Sequence, residues 1–189
     1  PDVRRLLLSM SSRISAMRAF SVLVGDTHDR AHAGDASQTA LAEFFVPILK
    51  SWFTEQAVQI SSDAVQVHGG MGFIEETGIA QQYRDSRILP IYEGTTAIQS
   101  NDLVGRKVLR DGGQTAAGVF AAIRAQLDAL RSSANPVASR LVERTERAVE
   151  SAERATAAIL ANAANPRDAY AVSVPYQELL ATLVGGWMH

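Results

Sequence analysis

Apolar residues recur at intervals of three and four along most of the chain, and that spacing predicts helices rather than strands. Val3, Leu6, Leu7, Met10, Ile14 and Met17 form the first stripe, with Asp2 placed as its N-cap. The pattern persists to about His32, where Gly34 can close the helix. A second helix is expected from near Ser37 to about Val67, with Leu41, Phe44, Phe45, Ile48, Trp52 and Ile60 on its apolar face. Pro47 should kink it unless the local turn adjusts. Two helices of this length joined by a short Gly-containing link read as an antiparallel pair.

From His68 to Gly94 the periodicity breaks, apart from a short helical candidate at about Ile79 to Arg84. Helix resumes near Thr95 and runs through Ile98, Leu103, Val104 and Val108 to the stop signal Asp111-Gly112-Gly113. An alanine-rich stripe of Ala116, Val119, Phe120, Ile123, Leu127 and Leu130 follows and is broken by Asn135-Pro136. A further helix carries Leu141, Val142, Val149, Ala152, Ala155 and Ile159 and ends at Asn165-Pro166. The segment from Asp168 reads as helical, interrupted by Pro175. No strand pairs with turn signals and no sequence repeat are evident. The expected fold is all-α, an up-down helical bundle over residues 1–111 with an additional helical extension over 112–189.

Composition narrows the function classes. The chain has 189 residues, 47% of them hydrophobic, which is enough for one domain with a substantial core or one domain plus an appendage. A formal net charge of −2 gives no electrostatic case for binding nucleic acid or an anionic membrane. With no cysteine, disulfides, thiolate catalysis and cysteine-ligated metals are excluded. No uncharged apolar run reaches membrane-spanning length. The opening PDVRRLLLSM and the apolar close LLATLVGGWMH suggest truncation at both ends.

Four clusters carry candidate chemistry. His28-Asp29-Arg30-Ala31-His32 places two histidines on one helix face at zinc-ligand spacing, but no third ligand is evident. It reads as a solvated, charged helix terminus, and no metal site is expected. Gln66-Val67-His68-Gly69-Gly70-Met71-Gly72-Phe73 has three glycines that permit close backbone approach, either to a phosphate or ribose or simply in a helix stop and turn. It follows a helix, so the dinucleotide and P-loop readings, which need glycines that open a helix after a strand, do not apply. His68 alone reads as a structural hydrogen-bonding histidine. Tyr83-Arg84-Asp85-Ser86-Arg87 reads as an ion-pair or capping arrangement that holds the neighbours of Glu93 in place.

Glu93 itself stands between Ile88, Leu89, Ile91 and Tyr92 on one side and Gly94 on the other. It can cap the next helix, pair with an arginine, or act as a base whose carboxyl is desolvated by its apolar neighbours while Gly94 leaves room for a ligand.

In combination these motifs resemble a known family. Gln66-x-x-Gly69-Gly70-x-Gly72-Phe73-x-x-Glu76, with Asp85 nine residues on and then Tyr92-Glu93-Gly94-Thr95, is similar to the C-terminal helical domain of acyl-CoA dehydrogenases. The similarity covers roughly residues 1–110. The alanine-rich remainder, ending Gly185-Gly186-Trp187-Met188, resembles the extra helical extension of the subgroup that includes 3-methylmercaptopropionyl-CoA dehydrogenase.

The resemblance implies a flavoprotein oxidoreductase of fatty acid metabolism and beta-oxidation, converting an acyl-CoA thioester to the trans-2-enoyl-CoA with FAD as cofactor. Glu93 would match the catalytic base, with Tyr92 and Gly94 against the substrate. Gln66, Gly69 and Gly70 would match positions that contact the ADP part of FAD, commonly across a subunit interface, and Thr95 a position beside the cofactor. Two residues depart from the family pattern. Gln81 stands where Lys or Arg is usual, and Ala97 where a Glu or Gln often helps bind FAD.

A homo-oligomer is expected because exposed apolar faces favour self-association, and a cytoplasmic location is expected; the resemblance further implies an electron-transfer flavoprotein as acceptor. The family builds its active site from upstream domains as well, so this piece alone is expected to be inactive and to bind FAD weakly or not at all. Two other readings remain open: a helical assembly module without the chemistry, and an FAD-binding relative that acts in alkylation response.

Overall fold

A computed structural model describes residues 1–189, and it contains helices and no strand. Helix α1 (Asp2–His32) begins after Pro1 as N-cap, so Asp2 opens the helix and its carboxylate accepts a hydrogen bond from Arg5 at 2.8 Å. Gly34, at φ +100°, turns the chain, and the Asp35 carboxylate caps α2 (Ala36–His68) by accepting from the Ser37 amide.

The two long helices are antiparallel. Phe20 meets Phe45 edge-to-face at 5.2 Å near the turn, and Arg13 pairs with Asp63 at 3.6 Å farther along. Phe20 also packs near Trp52 and Phe53. Helix α2 continues across Pro47 as one element.

The stripe expected to bury α1 is largely unburied. Of its members only Leu6 lies in the core, while Val3 and Leu7 are half exposed and Ile14 is also exposed. The seam against α2 instead uses Leu6, Ala16, Phe20, Val24 and Thr27. Nothing within residues 1–189 covers the other face of the first turns.

After α2 come a short helix α3 (Gly70–Phe73), a 3₁₀ turn at Glu75–Thr77 and α4 (Ile79–Ser86). Helix α5 (Thr96–Asp102) starts beyond the Glu93 loop and widens into π-helical turns at Leu103–Leu109. Gly112 and Gly113, both at positive φ, then reverse the chain, and the Asp111 carboxylate accepts from the amides of Gly113 and Thr115 at 2.8 and 2.9 Å.

Helices α6 (Gln114–Arg131) and α7 (Pro136–Ala161) pack as a hairpin cross-linked by a bidentate Arg124–Glu153 pair. The pairing holds the Glu153 carboxyl below the usual carboxylate range. Helix α8 (Pro166–Ala171) leads to α9 (Ser173–Trp187). The break falls at Val172 rather than at Pro175, which sits in the first turn of α9, where its missing N–H has no intrahelical partner to lose.

One cluster of 22 buried residues joins all the long elements, from Phe20 of α1 and Phe45 of α2 through Leu103 and Val104 to Ile123, Val149 and Leu180. Trp52 is wedged against Gly185, where an added Cβ would lie 2.8 Å from the indole ring.

Candidate functional site

Glu93 occupies a backbone conformation that no other non-glycine residue of the chain adopts. Its φ is +52°, in the left-handed region, and Gly94 follows at +94°. An L-residue there carries strain of about 1–2 kcal/mol, and such outliers persist where the surroundings hold them in place.

The holding contacts come from α2 and α5. Lys50 Nζ donates to the carbonyl oxygen of Leu89 at 3.2 Å and to that of Gly94 at 2.5 Å, so one ammonium ties down both ends of the loop. The same Nζ lies 5.8 Å from the centre of the Tyr92 ring. Gln99 Nε2 donates to the Glu93 carbonyl at 3.3 Å, and the Thr96 amide donates to Pro90 at 3.3 Å. Gly94 is favoured by its positive φ, and a Cβ there would push the Gln99 carboxamide, 2.9 Å away, off the Glu93 carbonyl.

Glu93 does not cap α5. Thr95 takes that role, accepting from the Ile98 amide, while the Thr96 hydroxyl donates to Glu55 at 2.5 Å. Residues 83–87 hold only the start of the loop, through the Asp85 and Ser86 carbonyls that accept from the Ile88 and Leu89 amides, and no side chain among them bonds residues 90–95. Arg84 reaches away from it, forming a bidentate pair with Glu75 at 2.8 Å, and that pair holds the Glu75 carboxyl below its ordinary range.

Tyr92, Glu93 and Thr95 are exposed, as are Ile88 and Ile91. The apolar neighbours therefore do not close over the Glu93 carboxyl within this chain. Lys50 was not singled out from sequence. Its signal was a lone cation inside the apolar run from Phe44 to Phe53.

Gln66 lies at the other end of α2, about 24 Å beyond Lys50 along the helix axis, with Gly69 and Gly70 just past that end, so a single copy does not bring them to Glu93. Gly69 ends the helix at φ +61°. An added Cβ at Gly69 or Gly70 would meet nothing within 4 Å, and both glycines are exposed beside the exposed Gln66. Gly72 is the packing glycine of this motif. It is buried, and a Cβ there would come within 2.2 Å of the Val65 carbonyl oxygen. His68 Nδ1 bonds the Ala64 carbonyl at 2.8 Å, and His32 Nδ1 bonds that of His28 at 2.9 Å.

Residues 1–109 match the family profile described as "Acyl-CoA dehydrogenase, C-terminal domain". The chain belongs to the acyl-CoA dehydrogenase family.

Residues 115–189 match a second profile, "Acetyl-CoA dehydrogenase C-terminal like", so the two profiles meet at the Gly112-Gly113 reversal. A 3-methylmercaptopropionyl-CoA dehydrogenase of Ruegeria pomeroyi is 49% identical over 99% of this chain and 32% of its own length. A broad-specificity linear acyl-CoA dehydrogenase of Mycobacterium tuberculosis, FadE5, is 34% identical over 68% of this chain and 22% of its own length. The chain thus spans about a third, or less, of the curated relatives it matches. The crystal structure of Caenorhabditis elegans ACDH-11 in complex with C11-CoA superposes with a TM-score of 0.72 over 97% of this chain and 31% of the other, at 21% identity. That likeness shows the all-α fold. No helix of the chain is long and apolar enough to cross a membrane.

Proposed function

We propose that this chain is the C-terminal part of a longer FAD-dependent acyl-CoA dehydrogenase, in which it supplies the base for α,β-dehydrogenation of an acyl-CoA thioester to the trans-2-enoyl-CoA. The observation that carries the reading is Glu93, a carboxylate kept at φ +52° in a loop tied at both ends to Lys50. A base that must meet one weakly acidic C–H bond gains from being aimed in advance, because misplacement by about 1 Å can cost about a hundredfold in rate.

In this reading the Glu93 carboxylate takes the proton from the carbon α to the thioester, and the thioester carbonyl spreads the electron pair left behind. Gly94 and the exposed Tyr92 ring, on either side of the base, would stand against the substrate. FAD, when bound, supplies the acceptor for the hydride that leaves the β-carbon.

The residues present fit that cofactor. At Gly69 and Gly70 the backbone is open to close approach, and the Gln66 carboxamide is exposed beside it, a polar edge suited to the ADP portion. Their distance from Glu93 along α2 fits a homo-oligomer in which this end of one copy serves the site of another. Thr95, next to the base, would lie beside the flavin. Ala97 offers no polar group of its own to the cofactor.

Ile88, Ile91 and Tyr92 are exposed, so the dry surroundings a base needs must come from outside residues 1–189. The isolated chain is accordingly expected to lack activity and to hold FAD weakly. A cytoplasmic location is part of this reading, and an electron-transfer flavoprotein as acceptor follows from family analogy.

The deciding experiment is Glu93→Gln in the intact protein. Acyl-CoA-dependent reduction of an electron acceptor should fall by at least about a hundredfold. An unchanged rate overturns the assignment.

A further inference from the structure

Three contacts tie the end of the chain to the helix that follows Glu93. Gln177 of α9 is 3% exposed, and its carboxamide bridges two other elements. Its Nε2 donates to the Pro47 carbonyl of α2 at 2.5 Å, and its Oε1 accepts from the hydroxyl of Ser100, which is wholly buried on α5. A carbonyl can only accept, so the amide orientation is determined: Nε2 faces Pro47 and Oε1 faces Ser100, whose single hydroxyl proton is shared between Gln177 Oε1 and the Thr96 carbonyl at 2.8 Å. One turn earlier the Ser173 hydroxyl donates to Asn101 Oδ1 at 2.8 Å. Tyr170 lies against Gly105, where a Cβ would fall 2.2 Å from the phenol oxygen.

The two partners of Gln177 adjoin the two anchors of the Glu93 loop. Lys50 lies on the turn of α2 that follows Pro47, and Gln99, which donates to the Glu93 carbonyl, is the residue before Ser100. The apolar residues of α5, Ala97 and Ile98, are exposed, so polar contacts set its separation from α2, the Thr96–Glu55 bond at the rim and the Gln177 bridge in the interior. A buried amide bonded to one polar atom on each helix does not tolerate small slides.

We propose that Gln177 is a positioning residue for Glu93: by bonding α2 and α5 at once it sets the distance between Lys50 and Gln99, and so the aim of the loop between them. The proposal rests on the reading of Glu93 as the base. It gives the helices after Gly113 a part in the chemistry through the bonds of one buried side chain.

The test uses the intact flavoprotein. Gln177→Met keeps the side-chain volume and removes both hydrogen bonds. Thr156→Val is the control, since it removes a buried hydrogen bond of 2.8 Å to Tyr176 without touching α2 or α5.

Gln177→Met is expected to lower kcat about tenfold with KM changed by less than about twofold. It should also speed hydrogen exchange in the segment 92–101. Thr156→Val should lower the thermal midpoint and do neither. If Gln177→Met does not fold, Ser100→Ala, which removes one of the two bonds, is expected to show the same pattern.

Unchanged kcat and exchange in a folded variant overturn the proposal, as does an equal loss of kcat in Thr156→Val. Glu93→Gln measured alongside separates the two claims. An inactive Glu93→Gln beside a fully active Gln177→Met removes the positioning role alone. A fully active Glu93→Gln removes the base, and the positioning role with it.

Discussion

The ammonium of Lys50 and the carbonyl oxygen of Gly94, 44 positions apart in sequence, stand 2.5 Å from each other. With the second bond to Leu89, this makes Lys50 the one side chain that holds both ends of the segment carrying Glu93. Lys50→Met would keep most of the aliphatic stem and leave two carbonyl oxygens without their donor. Stability should fall by about 1–3 kcal/mol in denaturant unfolding. In the intact enzyme the rate should fall by about ten- to a hundredfold, since the base loses its aim. A variant with wild-type rate would mean that the loop keeps its shape without the clamp.

Glu93 is held at a cost that another residue would not carry. Glycine adopts φ +52° without the clash that an L side chain meets. Glu93→Gly should therefore make the protein more stable by about 0.5–1 kcal/mol, even after the larger chain entropy of glycine is counted, while abolishing turnover. Glu93→Gln keeps the strain and should leave stability unchanged. Urea titration of the three proteins checks this directly. A destabilised Glu93→Gly would show that the side chain contributes more to the fold than its conformation costs.

The helix ends were readable because capping chemistry is local. Gly34, Asp111-Gly112-Gly113, Asn135-Pro136 and Asn165-Pro166 all mark real boundaries. The apolar stripe of α1 misled, because periodicity tells which face is apolar and not what covers it: Val3 and Leu7 are half exposed within residues 1–189. The π-helical turns at Leu103–Leu109 left no trace, since a run of seven residues cannot separate that period from 3.6. At the site, Glu93 and Gly94 stood out by residue type and order. Lys50, Gln99 and Gln177 did not, because what matters about them is a contact made far along the chain. The loop was expected to be held by residues 83–87, yet Arg84 turns to Glu75 and the holding cation comes from α2.

Tyr176 offers a test of the seam between α7 and α9 that does not depend on activity. It is 3% exposed, its hydroxyl lies 2.8 Å from Thr156 Oγ1, and the Thr156 hydroxyl donates to the Ala152 carbonyl at 2.8 Å. Burial pushes the phenol up to about 12, against a smaller pull from the Thr156 hydrogen bond and with a further push from the Asp111 carboxylate. The unfolded phenol ionises near about 10. The folded state therefore prefers the neutral ring. That preference stabilises it fully below pH 10 and is lost as pH rises through 12. At neutral pH, Tyr176→Phe should cost about 1 kcal/mol through the lost hydrogen bond. The gap between wild type and variant should then narrow from pH 10 to 12, because only the wild type has a buried phenol to ionise. Ultraviolet titration of the folded protein should show one phenolate forming at about pH 12 that Tyr176→Phe lacks. A stability gap that stays constant through that range would mean the hydroxyl reaches water, and that α9 is packed less tightly on α7 than the burial of Tyr176 indicates.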